Sequence, residues 1–353
     1  MSETPEESTS PGLDDPITEE SLVGRLLDGR YELRELIATG AMGAVYRALQ
    51  RGMGRRVAVK LLHEHLGAED DVVKRFYREM QATARIEHPN TVRIYDFGHT
   101  QDGGLFLVME LLSGRTLADV MVDEAPFSAT RAARIGAQIA SALAAARREG
   151  VVHRDLKPEN IFLSTQYGPR DWVKVFDFGL AQMEDTRPED RTEGGARVGT
   201  PLYMAPEYIQ NRVADYHADL YALGVVLYEM VVGKPPFTGN PREVMEKHVH
   251  QAAPRAADNA AQYCPIWLDK LIANLLRKDP AERPHDPDRV ARVLERGAVR
   301  EAAIEAGHVQ PVAPEGPSVL LWVLALAVPL FALGCSGGVL AALGAMGAWL
   351  LVG

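Results

Sequence analysis

The sequence predicts an α+β fold in two lobes, a small β-rich lobe followed by a larger helical one. Three observations carry that prediction. Strand-like runs rich in Val, Leu and aromatic residues fill the first 110 residues and enclose a single helical stretch. Beyond residues 112–114 the apolar residues recur at helical spacing, in segments separated by Gly and Pro. The composition, 46% hydrophobic and 24% charged over 353 residues, supplies enough apolar material for one large core.

Folded structure is expected to begin near Gly29, Arg30 and Tyr31. Residues 31–37 and 44–49 read as strands on either side of a turn, and residues 56–62 (RVAVKLL) as a third. Residues 70–86 have helical spacing, with Val73, Phe76, Met80 and Ala84 on one face. Residues 91–97 and 105–110 read as two further strands. In the second lobe an Ala-rich helix covers residues 130–148, and Gly150 stops it. Residues 215–232 alternate apolar and polar side chains at the helical period, and residues 266–276 and 288–296 are helical too. The expected layout is a tail (1–28), a folded domain (29–300) whose lobes meet at residues 111–112, a linker (301–317) and a hydrophobic segment (318–353).

The formal charge of −10 and a pI near 5.5 argue against a general nucleic-acid binder, which needs a basic face to neutralise phosphates. The two cysteines, Cys264 and Cys335, stand in no paired spacing, so neither a structural zinc site nor a disulfide framework is expected. The N-terminus has neither the basic start nor the apolar run of a signal peptide. Its first 20 residues hold seven acids and no Lys or Arg, the composition of a disordered acidic tail.

Chemistry-bearing residues begin with Ala38-Thr39-Gly40-Ala41-Met42-Gly43-Ala44-Val45, small residues between two strands that let backbone amides face phosphate oxygens. Alone, such a hairpin is weak. Seventeen residues after Gly43, Val57-Ala58-Val59-Lys60 places a lysine on the next strand. Then come His153-Arg154-Asp155-Leu156-Lys157-Pro158-Glu159-Asn160, Asp177-Phe178-Gly179 seventeen residues after Asn160, and Ala205-Pro206-Glu207. The elements stand in one order at the spacings of a signature set. On these motifs residues 29–296 resemble the bacterial Hanks-type (eukaryotic-like) Ser/Thr protein kinases, and the fold implied is the two-lobed protein kinase fold.

The resemblance implies ATP and Mg²⁺, with Mn²⁺ as an alternative ion, and protein substrates bearing Ser or Thr. Gly40 and Gly43 would cover the phosphates, with Ile37 and Ala38 beside them; Lys60 would hold the α- and β-phosphates, and Glu79 would pair with Lys60. Asp155 would take the proton of the substrate hydroxyl and Lys157 would reach the transferred phosphate. Asn160 and Asp177 would hold the metal. Glu110 and Leu112 would offer backbone groups to adenine, walled by Val45, Ala58, Met109 and Phe162. Structural roles fall to Glu207 with Arg283 as an ion pair, and to Asp219 as a cap on the catalytic loop. The Asp-x-Lys-x-x-Asn spacing and Gly199-Thr200-Pro201 resemble Ser/Thr rather than Tyr kinases. Loss of Lys60, Asp155 or Asp177 would have marked a catalytically weak pseudokinase or scaffold, and all three stand.

Two positions depart from the family pattern. Ala38 replaces the first glycine of the loop, with a modest expected effect on nucleotide affinity. Thr83, one turn after Glu79, stands where the family usually places a large apolar side chain that packs toward Phe178. A hydroxyl packs less well there, so a low resting activity is expected. Residues 180–204 are the expected switch. Arg154 would hold a phosphothreonine bidentately, with Thr192 the first candidate and Thr186 the second, while Thr200 would contact Asp155 and Lys157.

Residues 318–353 are 36 residues without a charge, more than the roughly 20 that cross a bilayer. A single span over residues 319–339 is one reading; a hairpin of residues 319–333 and 339–351 is the other. Gly334 and Gly338 have the spacing of helix pairing, which admits a membrane homodimer. Orientation follows from function, since the catalytic part needs cytoplasmic ATP.

Overall fold

The computed structural model describes residues 19–40, 42–63, 70–100, 102–166, 170–180 and 201–308. The chain divides into two units, residues 1–302 and 303–353. Of the second, only residues 303–308 are described: the end of a helix and a turn closed by bonds from Gly307 N to Ile304 O and from His308 N to Ala303 O. Among the described residues no helix is long and apolar enough to cross a membrane. The expected span, 318–353, lies outside them, as do Thr186, Thr192 and Thr200.

The first lobe is a six-stranded antiparallel sheet with one helix. Strands β1 (Leu26–Leu27), β2 (Tyr31–Gly40), β3 (Gly43–Gln50), β4 (Arg55–Leu62), β5 (Ile94–His99) and β6 (Leu105–Glu110) lie in the order β1-β2-β3-β4-β6-β5. Helix α1 (Asp70–Thr83) packs on one face, with Asp70 and Asp71 favourably placed at its positive N-terminal end. Side chains alternate across β6. Leu105, Leu107 and Met109 join the helix side with Phe76 and Met80, and Phe106 and Val108 join Tyr31, Leu33, Tyr46 and Val57 on the other.

That second face needs a cover, which explains why folded structure begins earlier than Gly29. The 3-10 helix Glu19–Leu22 brings Leu22 onto it, and β1 extends the sheet and adds Leu27 to the same core. Leu27 is buried there and the Tyr46 hydroxyl donates to Glu19 O at 2.7 Å. The expected helix face also shifts by one residue: Val72 and Thr83 are buried, and Ala84 lies beyond the helix end, exposed.

The second lobe opens with a three-stranded sheet, β7 (Gly114–Thr116), β8 (Ile161–Ser164) and β9 (Trp172–Val175), and is otherwise helical. Its helices are α2 (Leu117–Glu124), α3 (Ala129–Arg148), α4 (Pro206–Asn211), α5 (Tyr216–Val232), α6 (Pro241–His250), α7 (Ala256–Asn259), α8 (Ile266–Leu275) and α9 (Pro287–Glu305). Ser128 caps α3 by accepting from Arg131 N, and Gly150 at φ 71° ends the turn that follows. Helix α5 is apolar on every side rather than alternating, because it is the axis of this lobe, and a helix apolar all round is a buried one. Gly224 on α5 lets α8 close in: a Cβ there would stand 2.7 Å from Leu275 Cβ. Helix α9 runs to Glu305, past the expected domain end at 300 and into the expected linker.

Candidate active site

Residues 153–160 connect α3 to β8, and α5 holds their start from below. The Asp219 carboxylate, 4% exposed, accepts from His153 N at 2.8 Å and Arg154 N at 2.9 Å. These two bonds secure Arg154 at φ 68°, a left-handed conformation unfavourable for a residue with a side chain. His153 is fully buried; its Nε2 lies 2.9 Å from Phe176 O and its ring 4.6 Å from that of Phe178. The loop thereby braces the segment bearing Asp177, itself at φ 63°.

Asp155 is the group this bracing presents. Lys157 Nζ donates to its Oδ2 at 2.6 Å, and Asn160 Nδ2 donates to its carbonyl at 2.7 Å and to Oδ2 at 3.1 Å. Its side chain remains 37% exposed. The structure thus brings Asp155, Lys157 and Asn160 together, and places Lys60 on Asp177 Oδ2 at 2.6 Å with both side chains largely buried.

That contact corrects one expectation: Lys60 does not pair with Glu79. A buried ammonium requires a carboxylate, and Asp177 meets that need. Glu79 lies beside Gly179, where a Cβ would stand 3.4 Å from its Oε2, and its nearest cation is Arg78 at 3.4 Å. Thr83, 7% exposed, turns its hydroxyl back to Glu79 O at 2.9 Å and so satisfies it within its own helix.

The two glycines of the loop differ in what they do. Gly43 has φ 143°, and a Cβ there would collide with Leu61 O, so β3 and β4 need glycine at this point. Gly40, paired with Gly43 across the hairpin, has room for a Cβ, which would meet Gly43 O at an ordinary 3.9 Å. Ala38 pairs with Val45 just after a register shift between Leu36 and Ala38, in a strand that alanine tolerates. Ala58 and Met109 are buried neighbours on β4 and β6; Val45, Leu112 and Phe162 are half-buried and Ile37 is exposed.

Arg283 is fully buried and uses all five of its donors. Nη1 and Nη2 bond the two oxygens of Glu207 at 2.7 Å each, and the remaining bonds go to the carbonyls of Arg277, His217 and Lys278 at 2.8, 2.9 and 3.0 Å. Glu207 lies in α4, just after the 3-10 helix Pro201–Tyr203. Tyr203 fixes that helix to α5 by donating to Glu229 Oε2 at 2.6 Å. Burial raises the Tyr203 hydroxyl well above its usual range, helped by the nearby Glu229 carboxylate.

Sequence reasoning missed three side-chain contacts. One is the Tyr203–Glu229 bond. Another is a side-chain bridge in which Asn90 Nδ2 donates to Gln138 Oε1 at 3.0 Å and Val173 O at 2.9 Å. The third is a buried ion pair, Lys174 Nζ to Glu110 Oε1 at 2.7 Å. The visible signal for the last was a lysine inside Trp172-Val173-Lys174-Val175, a strand otherwise apolar.

A family model for the protein kinase domain matches residues 31–294. The serine/threonine-protein kinase pkn3 of Myxococcus xanthus is 38% identical over 276 residues, covering 76% of this chain and 50% of the relative. The serine/threonine-protein kinase PknE of Mycobacterium bovis is 38% identical over 302 residues, covering 81% of this chain and 52% of the relative. The chain thus spans about half the length of the curated relatives it matches. The crystal structure of the Mycobacterium tuberculosis PknI kinase domain superposes with a TM-score of 0.61 at 25% identity, over 78% of this chain and 98% of that one. The sheet lobe, the helical lobe, the constellation around Asp155 and these likenesses agree: the chain belongs to the protein kinase family, in its bacterial serine/threonine branch.

Proposed function

We propose that the chain transfers the γ-phosphate of ATP to Ser and Thr hydroxyls of proteins, its own activation segment included, at a membrane held by residues 318–353. The observation that carries the reading is Asp155, an exposed carboxylate oriented by Lys157 and Asn160 on a loop that Asp219 braces. A substrate hydroxyl bonded to Asp155 gives up its proton there. Its oxygen bonds the γ-phosphorus as the bond to the β–γ bridging oxygen breaks. Lys157 faces the transferred group, Lys60 the α- and β-phosphates, and the backbone near Gly40 covers them. Ile37, Val45, Ala58, Met109 and Phe162 would wall adenine, and the backbone of Glu110 and Leu112 would meet its edge.

Asn160 spends its amide nitrogen on Asp155, which leaves its carboxamide oxygen for a ligand. Asp177 has a second oxygen besides the one that Lys60 holds. Two hard oxygen donors suit Mg²⁺ or Mn²⁺. When bound, the ion neutralises phosphate charge.

Lys60 held by Asp177 rather than Glu79 supports a low resting activity, as does the Thr83 hydroxyl turned back into its helix. Phosphorylation of Thr192 or Thr186, received by Arg154, would relieve it. Membrane attachment rests on the 36 uncharged residues at 318–353, and pairing of two copies on Gly334 and Gly338. The test of the chemistry is Asp155→Asn: transfer should fall about 1,000-fold while Mg·ATP affinity changes less than about threefold. Unaltered transfer would remove Asp155 from the mechanism.

A further inference from the structure

One buried ion pair has no part in the chemistry above. Lys174 and Glu110 are each 8% exposed at the side chain and lie 2.7 Å apart. Glu110 ends β6 at the seam between the lobes, and its Oε1 also accepts from Arg93 N at 2.8 Å. Lys174 lies on β9, three residues before Asp177, and its Nζ also donates to Thr91 O at 3.2 Å. Two backbone bonds run alongside: Val92 N to Val175 O at 2.9 Å and Val175 N to Asn90 O at 2.8 Å. Strand β9 is therefore fastened to the small lobe at two places, residues 90–92 and the adenine edge of the cleft.

Stability alone does not account for charge at this point. Desolvating an ammonium and a carboxylate consumes most of their attraction, and apolar side chains of similar volume usually serve as well or better. A charged pair does supply direction. It ties one carboxylate at the end of β6 to one amine on the strand that leads to Asp177, and both partners carry additional bonds that set their angle.

We propose that Lys174 is a positioning residue: through Glu110 it fixes the adenine edge of the cleft relative to Asp177. The proposal rests on the reading that this cleft takes Mg·ATP. A nucleotide touching both ends then gains from a frame already set to its length, and a nucleoside touching only the adenine edge does not. Neither side chain needs to contact the nucleotide for this.

The experiment compares two ligands, adenosine and Mg·ADP, by equilibrium titration of the full chain in lipid. In Lys174→Met, adenosine should bind within about twofold of the unaltered protein. Mg·ADP should bind about tenfold more weakly, so the preference for the longer ligand falls by about the same factor. A variant that keeps the original preference overturns the proposal, and so does an equal loss for both ligands, which is damage to the adenine edge alone. If Lys174→Met fails to fold, Lys174→Gln decides. It replaces the ammonium with a neutral amide and so removes the charge-assisted bond to Glu110, and its preference should fall about threefold; no change overturns the proposal. Failure of the nucleotide reading shows separately, as no saturable Mg·ADP binding by the unaltered protein, and the proposal falls with it.

Discussion

Replacing Arg283 by lysine keeps the charge and removes the fork. The guanidinium satisfies five acceptors: both oxygens of Glu207 and the carbonyls of Arg277, His217 and Lys278. An ammonium has three donors, so at least two of those acceptors lose their partner in a site where Arg283 is fully buried. At about 1–2 kcal/mol for each buried acceptor left unpaired, Arg283→Lys should cost about 2–4 kcal/mol. Arg283→Met strands the Glu207 carboxylate and should cost about 3–5 kcal/mol, while Glu207→Gln/Arg283→Met should recover part of that. Urea unfolding followed by circular dichroism measures all three, with an unchanged denaturant slope as the sign that stability alone has moved. Costs below about 1 kcal/mol for both single variants would refute the reasoning, since the site would then be relaxing or admitting water.

Three further outcomes are expected. Thr83→Leu should raise the activity of the unphosphorylated protein several-fold, about 1 kcal/mol of added preference for the inward helix, and an activity assay showing no rise would count against a loosely held α1. His248 on α6 is fully buried; burial first, and the Lys278 ammonium second, hold its imidazole down at about 4. A lowered folded value means stability that is complete above the ordinary 6.5 and is lost as pH falls through about 4. Moving from neutral pH to about pH 5 should therefore cost about 2 kcal/mol through this group, and urea unfolding of His248→Asn should show that slope gone. Deleting residues 318–353 should move the protein from the membrane pellet to the soluble fraction; a deletion variant that still pellets would refute the anchor.

The strands and helices were legible wherever local pattern and burial agree. Residues 56–62 read as a nearly continuous apolar run because β4 lies in the middle of the sheet with a core on each face. The motif residues were legible because phosphoryl transfer restricts which side chains stand at which spacing. What local pattern does not carry is who meets whom over a distance. Lys60 has two acidic candidates, Glu79 and Asp177, far from it in sequence, and only packing selects Asp177. Residues 19–27 look like the end of an acidic tail until the sheet face bearing Tyr31, Tyr46 and Val57 is seen to need them as cover. The loop glycines look alike in the sequence, yet only Gly43 is forced by the approach of Leu61 O. Lys174 and Glu110 are 64 residues apart, and no local pattern joins them until β9 brings them together.

Incubating the full chain in lipid with γ-labelled ATP and Mg²⁺, beside Asp177→Ala, tests the central claim most directly. The account predicts label on Ser or Thr of the unaltered protein, with Thr192 or Thr186 among the sites, and none on Asp177→Ala. No label on either protein, or equal label on both, would contradict it.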